Sequence, residues 1–335
     1  MRYGRSPFAV AEQARQDVFR ASSDTFTKVG REPGLYRGAP HAAYLCAGAW
    51  YENLFPEIRV EALEYFARHD IAWHSDANHV RSSQVCCINF FMPLRRSEPA
   101  LIAALEPALG PITKIIPIEN RDLVAFEWIG EADYLNEGIG PLHQRRRGEH
   151  CTSADAAVRL ERPDGSIETV LIEWKYTETY SSVTQNERRR ERLQRYGKIA
   201  FWPDGPLRRD LGLRLDQLFY EPVYQLFRLQ ALARQIETTG DGGRTRACVL
   251  YISPDANADV RRITAPALMA HGRDLFIVWP SLLVDPSRFV YASADALFAG
   301  AVRSAVPDLA AWQDYESARY AGIFNGVRIS RAVSC

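Results

Sequence analysis

Apolar residues fall at helical spacing, at alternate positions or in unbroken runs along different parts of the chain, and each pattern predicts an element. The polar, Gly/Pro-dotted start carries a helix over Pro7–Ser22, and Val60, Leu63 and Phe66 predict another over Ile58–His69. Ser83–Leu94 is an apolar stretch with Ser82 or Ser83 as its N-cap, and Glu98–Leu109 is a short helix closed by Gly110-Pro111. Ile112–Ile118 and Leu123–Ile129 read as strands around the turn-like Glu119-Asn120-Arg121-Asp122. A polar stretch follows, with a helix expected around Tyr134–Glu137. Beyond it come strands over Ala154–Glu161 and Ile167–Tyr176, and the longest helical pattern, Leu215–Glu237. Buried-strand runs are read at Ala247–Ile252 and Leu275–Leu283. Alternating elements of this kind argue for α/β or α+β architecture.

Pro163-Asp164-Gly165 fits a three-residue hairpin loop, with proline at the first central position and glycine at the left-handed one. That loop sets Arg162 opposite Ser166, Val158 opposite Val170 and Ala156 opposite Ile172. The same register places Asp155 opposite Glu173, and Lys175 two residues on points to the same side. Leu160 opposite Glu168 is the one mismatch. Two carboxylates so close disfavour joint ionisation unless a cation neutralises them. Magnesium prefers oxygen ligands, commonly one or two carboxylates with water and substrate phosphate, and phosphodiester hydrolysis uses such an ion. An ammonium beside it orients or deprotonates a water, or stabilises developing negative charge.

Composition narrows the classes. The 335 residues carry 41 Lys+Arg against 41 Asp+Glu, which excludes holding nucleic acid by bulk charge and leaves only local basic faces. Six cysteines without C-x-x-C spacing are read as reduced. No membrane-length apolar run and no signal-peptide core are visible, so a soluble cytoplasmic protein is expected. P-loop, G-x-S-x-G and complete dinucleotide-loop motifs are missing. His69, His74 and His79 stand five residues apart, which turns each about 140° from the last on a helix and makes a poor metal face. They are read as satisfied polar histidines.

Asp155 followed by Glu173-Trp174-Lys175 on an apolar strand resembles the PD-(D/E)XK, or restriction-endonuclease-like, nuclease superfamily. Cys151-Thr152-Ser153-Ala154-Asp155 and Ile172-Glu173-Trp174-Lys175-Tyr176 look like uncharacterised bacterial proteins of that kind. The resemblance covers roughly 131–255 and implies an α-β-β-β-α-β core, with N-terminal (1–130) and C-terminal (256–335) α/β elaborations. Ala154 departs from the proline that often precedes the first acid, and the core strand expected before Asp155 is not evident. The resemblance implies a Mg²⁺-dependent endonuclease (Mn²⁺ as substitute) acting on DNA more than RNA. Asp155 and Glu173 would hold the metal and Lys175 would orient water. Many enzymes of the fold dimerise, so a homodimer is one arrangement it allows. It also implies a further acid on the preceding helix, for which Glu137 is chosen over Glu131 and Glu149. A helix glutamine reaches the site in some members, which brings in Gln225 and Gln230.

Within Gln185–Lys198, Arg188, Arg192 and Arg195 fall on one helical face and form a candidate phosphate-binding row. Arg145-Arg146-Arg147 either extends that surface or forms an exposed loop. The rival reading is a catalytically silent nucleic-acid-binding or protein-interaction module that keeps the nuclease fold.

Overall fold

A computed structural model describes residues 6–139, 144–184, 188–201, 203, 205–240, 245–298 and 309–324. Helix α1 spans Pro7–Ser22, its first turn capped by the Ser6 side chain. Helix α2 (Lys28–Arg31) leads into a small hairpin of β1 (Pro33–Tyr36) and β2 (Ala39–Leu45). Helices α3 (Arg59–Arg68), α4 (Ser83–Phe91) and α5 (Glu98–Leu109) follow. Ser82 caps α4, and Gly110 ends α5 at a φ of 73°, where a side chain would be strained. In α3 the buried positions are Ala62, Tyr65 and Phe66, while Val60 faces solvent, so the apolar stripe is rotated from the one its spacing predicted.

A six-stranded sheet organises the rest. Strand β3 (Lys114–Ile116) and β4 (Val124–Trp128) both pair antiparallel with β5 (Ala154–Glu161), β3 beside its C-terminal half and β4 beside its N-terminal half. Both were expected as strands from the sequence, and together they supply the core strand before Asp155 that had not been assigned to them. Strand β6 (Ile167–Trp174) pairs antiparallel with β5 in the expected register, Ala156 opposite Ile172 and Val158 opposite Val170. Gly165 takes the left-handed position of the loop at φ 76°. The mismatched Glu168 pairs instead with the Arg162 side chain, 2.6 Å from its Nε.

Helix α6 (Arg189–Tyr196) and α7 (Val223–Thr239) lead to β7 (Thr245–Ser253), which runs parallel to β6. The single long helix expected over Leu215–Glu237 is divided into a short 3-10 turn at Leu215–Leu218 and α7. Pro222 explains the break: it has no N–H to donate, and it disfavours helical backbone at Glu221. Leu275–Leu282 is helix α8, not the expected strand. Its apolar run fits either element, and the Asp274 side chain, accepting from the Phe276 N–H at 2.9 Å, starts a helix. The last strand is β8 (Phe289–Ser293), parallel to β7. Helices α9 (Ala294–Phe298), α10 (Ala310–Arg319) and α11 (Ala321–Phe324) complete the described chain.

Alternate residues of the strands enter two cores. One holds Phe126, Val158, Ile172, Trp174 and Leu250 with α3, α4, α5 and the C-terminal helices. The other holds Ala125, Ala157, Leu171 and Val249 with α6, α7 and α8. Helices on both faces cover the central strand β6, which is why the successive residues Val170, Leu171 and Ile172 are all apolar and buried. The sheet draws its strands from all three chain segments 1–130, 131–255 and 256–335. Among the described residues no helix is long and apolar enough to cross a membrane.

Candidate active site

The site lies at the end of the β5–β6 ladder. The last paired rung joins Ala156 to Ile172, and the next step along the same register brings Asp155 to Glu173. Asp155 is half-buried, and its Oδ2 accepts the Trp174 N–H at 2.7 Å. Glu173 is fully buried and Lys175 nearly so, and the two form an ion pair. The Lys175 ammonium also donates to Gln225 Oε1 on α7, at 3.1 Å. Of the two glutamines considered on that helix, Gln225 reaches the site, while Gln230 donates to the Arg288 carbonyl at 3.0 Å.

Electrostatics set these groups against one another. Burial pushes the Asp155 carboxyl up to about 6, against the pull of Lys175 and with the help of Glu127. Burial pushes Glu173 up to about 8, again opposed by Lys175 and aided by Asp155. Burial alone would lower Lys175, but the facing carboxylates, Glu173 first, outweigh it and hold the ammonium charged. One added cation would relieve the repulsion between the acids. The Lys175 ammonium sits on Glu173 Oε1, while Oε2 is buried without a hydrogen-bond donor. An all-oxygen pair with unsatisfied, buried lone pairs fits a hard divalent ion. Among the described residues no three His, Cys, Asp or Glu side chains lie close enough to hold a metal, so such an ion would rest on two carboxylates.

The family described as restriction endonuclease associating with ARP matches residues 12–321. The chain belongs to it. Neither the curated proteins nor the solved structures give a match. The mixed α/β fold is that of a restriction-endonuclease-like protein, and the family is one of nucleic-acid-binding nucleases in general terms.

The other expected residues lie elsewhere. The helix expected around Tyr134–Glu137 is a turn, with Asn136 at φ 54° and the Asp133 carboxylate accepting from the N–H groups of Glu137 and Gly138, both at 2.8 Å. Glu137 is buried but not brought beside Asp155 as a ligand. Its oxygens accept from the Thr152 N–H and hydroxyl, each at 2.7 Å, and from the Tyr196 hydroxyl at 2.5 Å. These three donors use its lone pairs to pin the loop before β5. Residues 185–187 lie outside the described residues. Arg188 stands at the N-cap of α6 with a left-handed backbone, so only Arg192 and Arg195 of the expected row share the helix. The Arg192 guanidinium stacks over Tyr224 at 4.6 Å. Arg147 is buried within the fold, whereas Arg146 is exposed and pairs with Asp70 and Glu149.

Sequence reasoning passed over Glu127 and Gln84 and read His74 only as a satisfied polar histidine. Glu127 accepts from Gln84 Nε2 at 2.7 Å and Ser153 Oγ at 2.8 Å, and its Oε1 is 3.3 Å from His74 Nε2. One signal was present: Glu127 is the single charged residue in the run Val124–Trp128, and a carboxylate there must find partners to be buried. The partners come from segments distant in sequence, and only folding brings them together.

Proposed function

We propose that the protein is a divalent-metal-dependent nuclease that hydrolyses phosphodiester bonds in DNA. The observation that carries this reading is the buried Asp155–Glu173–Lys175 cluster, in which Lys175 meets one oxygen of Glu173 and the other is buried without a donor. Asp155 and Glu173 are the residues that would hold magnesium, with manganese as a substitute. When bound, the ion supplies charge stabilisation on the phosphoryl oxygens and a more acidic water. Lys175 orients the attacking water, and Gln225, which accepts from it, would keep the ammonium aimed with Glu173 holding the metal. Burial on a central strand limits the motion of these groups, so their geometry is set before substrate arrives. Arg192 and Arg195 on α6 are proposed to meet backbone phosphates. Association with ARP, as the family description words it, belongs to the same proposal.

Plasmid and single-stranded DNA incubated with purified protein in Mg²⁺ or Mn²⁺, against EDTA, test the reading beside Lys175→Ala. Metal-dependent cutting that disappears in the variant supports it. No cutting, together with no Mn²⁺ binding at Asp155 and Glu173, would leave a silent binding module on a nuclease fold.

A further inference from the structure

Strand β4 pairs with β5 through Val124–Val158, Ala125–Ala157, Phe126–Ala156 and Trp128–Ala154. The rung between the last two would join Glu127 to Asp155, but Glu127 leaves the ladder with φ at 46°. A left-handed backbone is strained at a residue with a Cβ, so something must hold it. Arg147 does: its guanidinium donates to the carbonyls of Phe126 and Glu127, the latter at 3.1 Å, and is itself held by Glu119 at 2.6 Å. This left-handed residue, at an unshifted register, directs the Glu127 carboxylate toward Gln84, Ser153 and His74 instead of along the ladder.

His74 is therefore fixed twice. Its ring meets Glu127, and its main-chain N–H donates to Gln84 Oε1 at 2.9 Å. Gln84 bridges ring anchor and backbone from the first turn of α4. Burial disfavours charge on His74, but the hydrogen bond and charge of Glu127 outweigh it and favour the imidazolium, helped by Asp155. Glu127 stays ionised because His74, Gln84 and Ser153 overcome its burial. The Glu127 side chain is 3% exposed, yet that of His74 keeps 34%. A buried carboxylate thus presents a partly open, positively biased ring at the rim of the Asp155 site.

Resting on the nuclease reading, we infer that His74, positioned by Glu127, contacts a backbone phosphate of the DNA strand beside the bond that is cut. The Nε2 edge lies on Glu127, which leaves Nδ1 as the ring's donor toward the phosphate. Glu127 acts through His74 and is a positioning residue.

The test is binding of a short fluorescent duplex in Ca²⁺, titrated with salt between about 50 and 200 mM, where each phosphate contact adds about 0.9 to the log–log slope. His74→Ala and His74→Gln should each weaken binding about tenfold and flatten the slope by about one contact, and His74→Arg should restore the slope. Glu127→Gln should move in the same direction as His74→Gln. The glutamine variant keeps a polar partner for Glu127, so a loss there is not a folding defect. Unchanged affinity and slope in His74→Gln overturn the inference, while wild-type cutting that stops in Asp155→Asn leaves the nuclease reading standing. A wild-type protein that neither binds nor cuts DNA overturns both.

Discussion

Lys175 and Tyr176 are adjacent in the chain, yet they belong to buried polar clusters of opposite character. On one side, Lys175 pairs with Glu173 and faces Asp155, where two acids compete and Glu173 Oε2 is buried without a donor. On the other, the Tyr176 hydroxyl donates to Glu12 at 2.6 Å and accepts from Gln16 at 3.1 Å. Gln16 also holds the Arg319 carbonyl at 2.8 Å and accepts from Arg319 Nε at 3.1 Å. The remaining Arg319 donors reach Asn53, Tyr315 and the Val80 carbonyl. This second cluster joins α1, the 3-10 segment Ala47–Asn53 and α10 to the end of the active strand. Its hydrogen-bonded members are saturated, although Glu316 beside Arg319 is buried with neither oxygen hydrogen-bonded. A saturated network specifies a packing, whereas an unsatisfied group of equal burial costs stability unless a charge partner or ligand completes it. On the proposed mechanism, the end of the same strand carries chemistry on one residue and a structural tie on the next.

The widest separation between the two clusters is expected from Asp155→Asn and Glu173→Gln. Both variants should lose cleavage by on the order of 10³-fold while keeping the folded spectrum and melting within a few degrees of wild type. Variants that lost folding instead would show the acids to be structural, and the contrast would collapse. Arg319→Met should do the reverse. Removing the hub leaves its buried acceptors without a donor and should cost about 3–5 kcal/mol in urea unfolding, with cleavage per folded molecule preserved.

His79 borders the saturated cluster, its carbonyl accepting from Asn53 at 2.8 Å and its Nδ1 from the Arg81 N–H at 3.0 Å. Burial, with Arg81 and His41 adding to it, drives its folded value down to about 2. The unfolded ring titrates near about 6.5, so below that pH the unfolded state binds the extra proton. Stability from this residue is present above about 6.5 and falls by up to about 1.4 kcal/mol per pH unit on acidification. His79→Asn should flatten the unfolding free energy between pH 7 and 5, and an unchanged slope would refute the assignment. The smallest effect belongs to Tyr176→Phe. Losing one hydroxyl from a satisfied network should cost about 1 kcal/mol in the same urea experiment, with the cleavage rate unaffected.

The β5–β6 hairpin was legible because its information is local. A Pro-Asp-Gly loop and alternating apolar residues determine the register, and the register alone carries Asp155 to Glu173. Capped helices were equally legible, Glu98–Leu109 to the residue. Leu275–Leu282 was misread because an apolar run of that length fits strand and helix alike, and the missed Phe289–Ser293 became the edge strand. Glu137 and Glu127 show the deeper limit. Both are lone acids near the site in sequence, but Glu137 is consumed by Thr152 and Tyr196, while Glu127 is turned by Arg147 toward His74.

By itself, the sequence determined the hairpin, its paired acids and its lysine, since turn chemistry and a period of two act over a few residues. Tertiary structure decided which charges are spent on the fold and which remain for chemistry. That choice depends on desolvation and hydrogen-bond partners supplied by α1, α4, α7 and α10, from segments far apart in the chain.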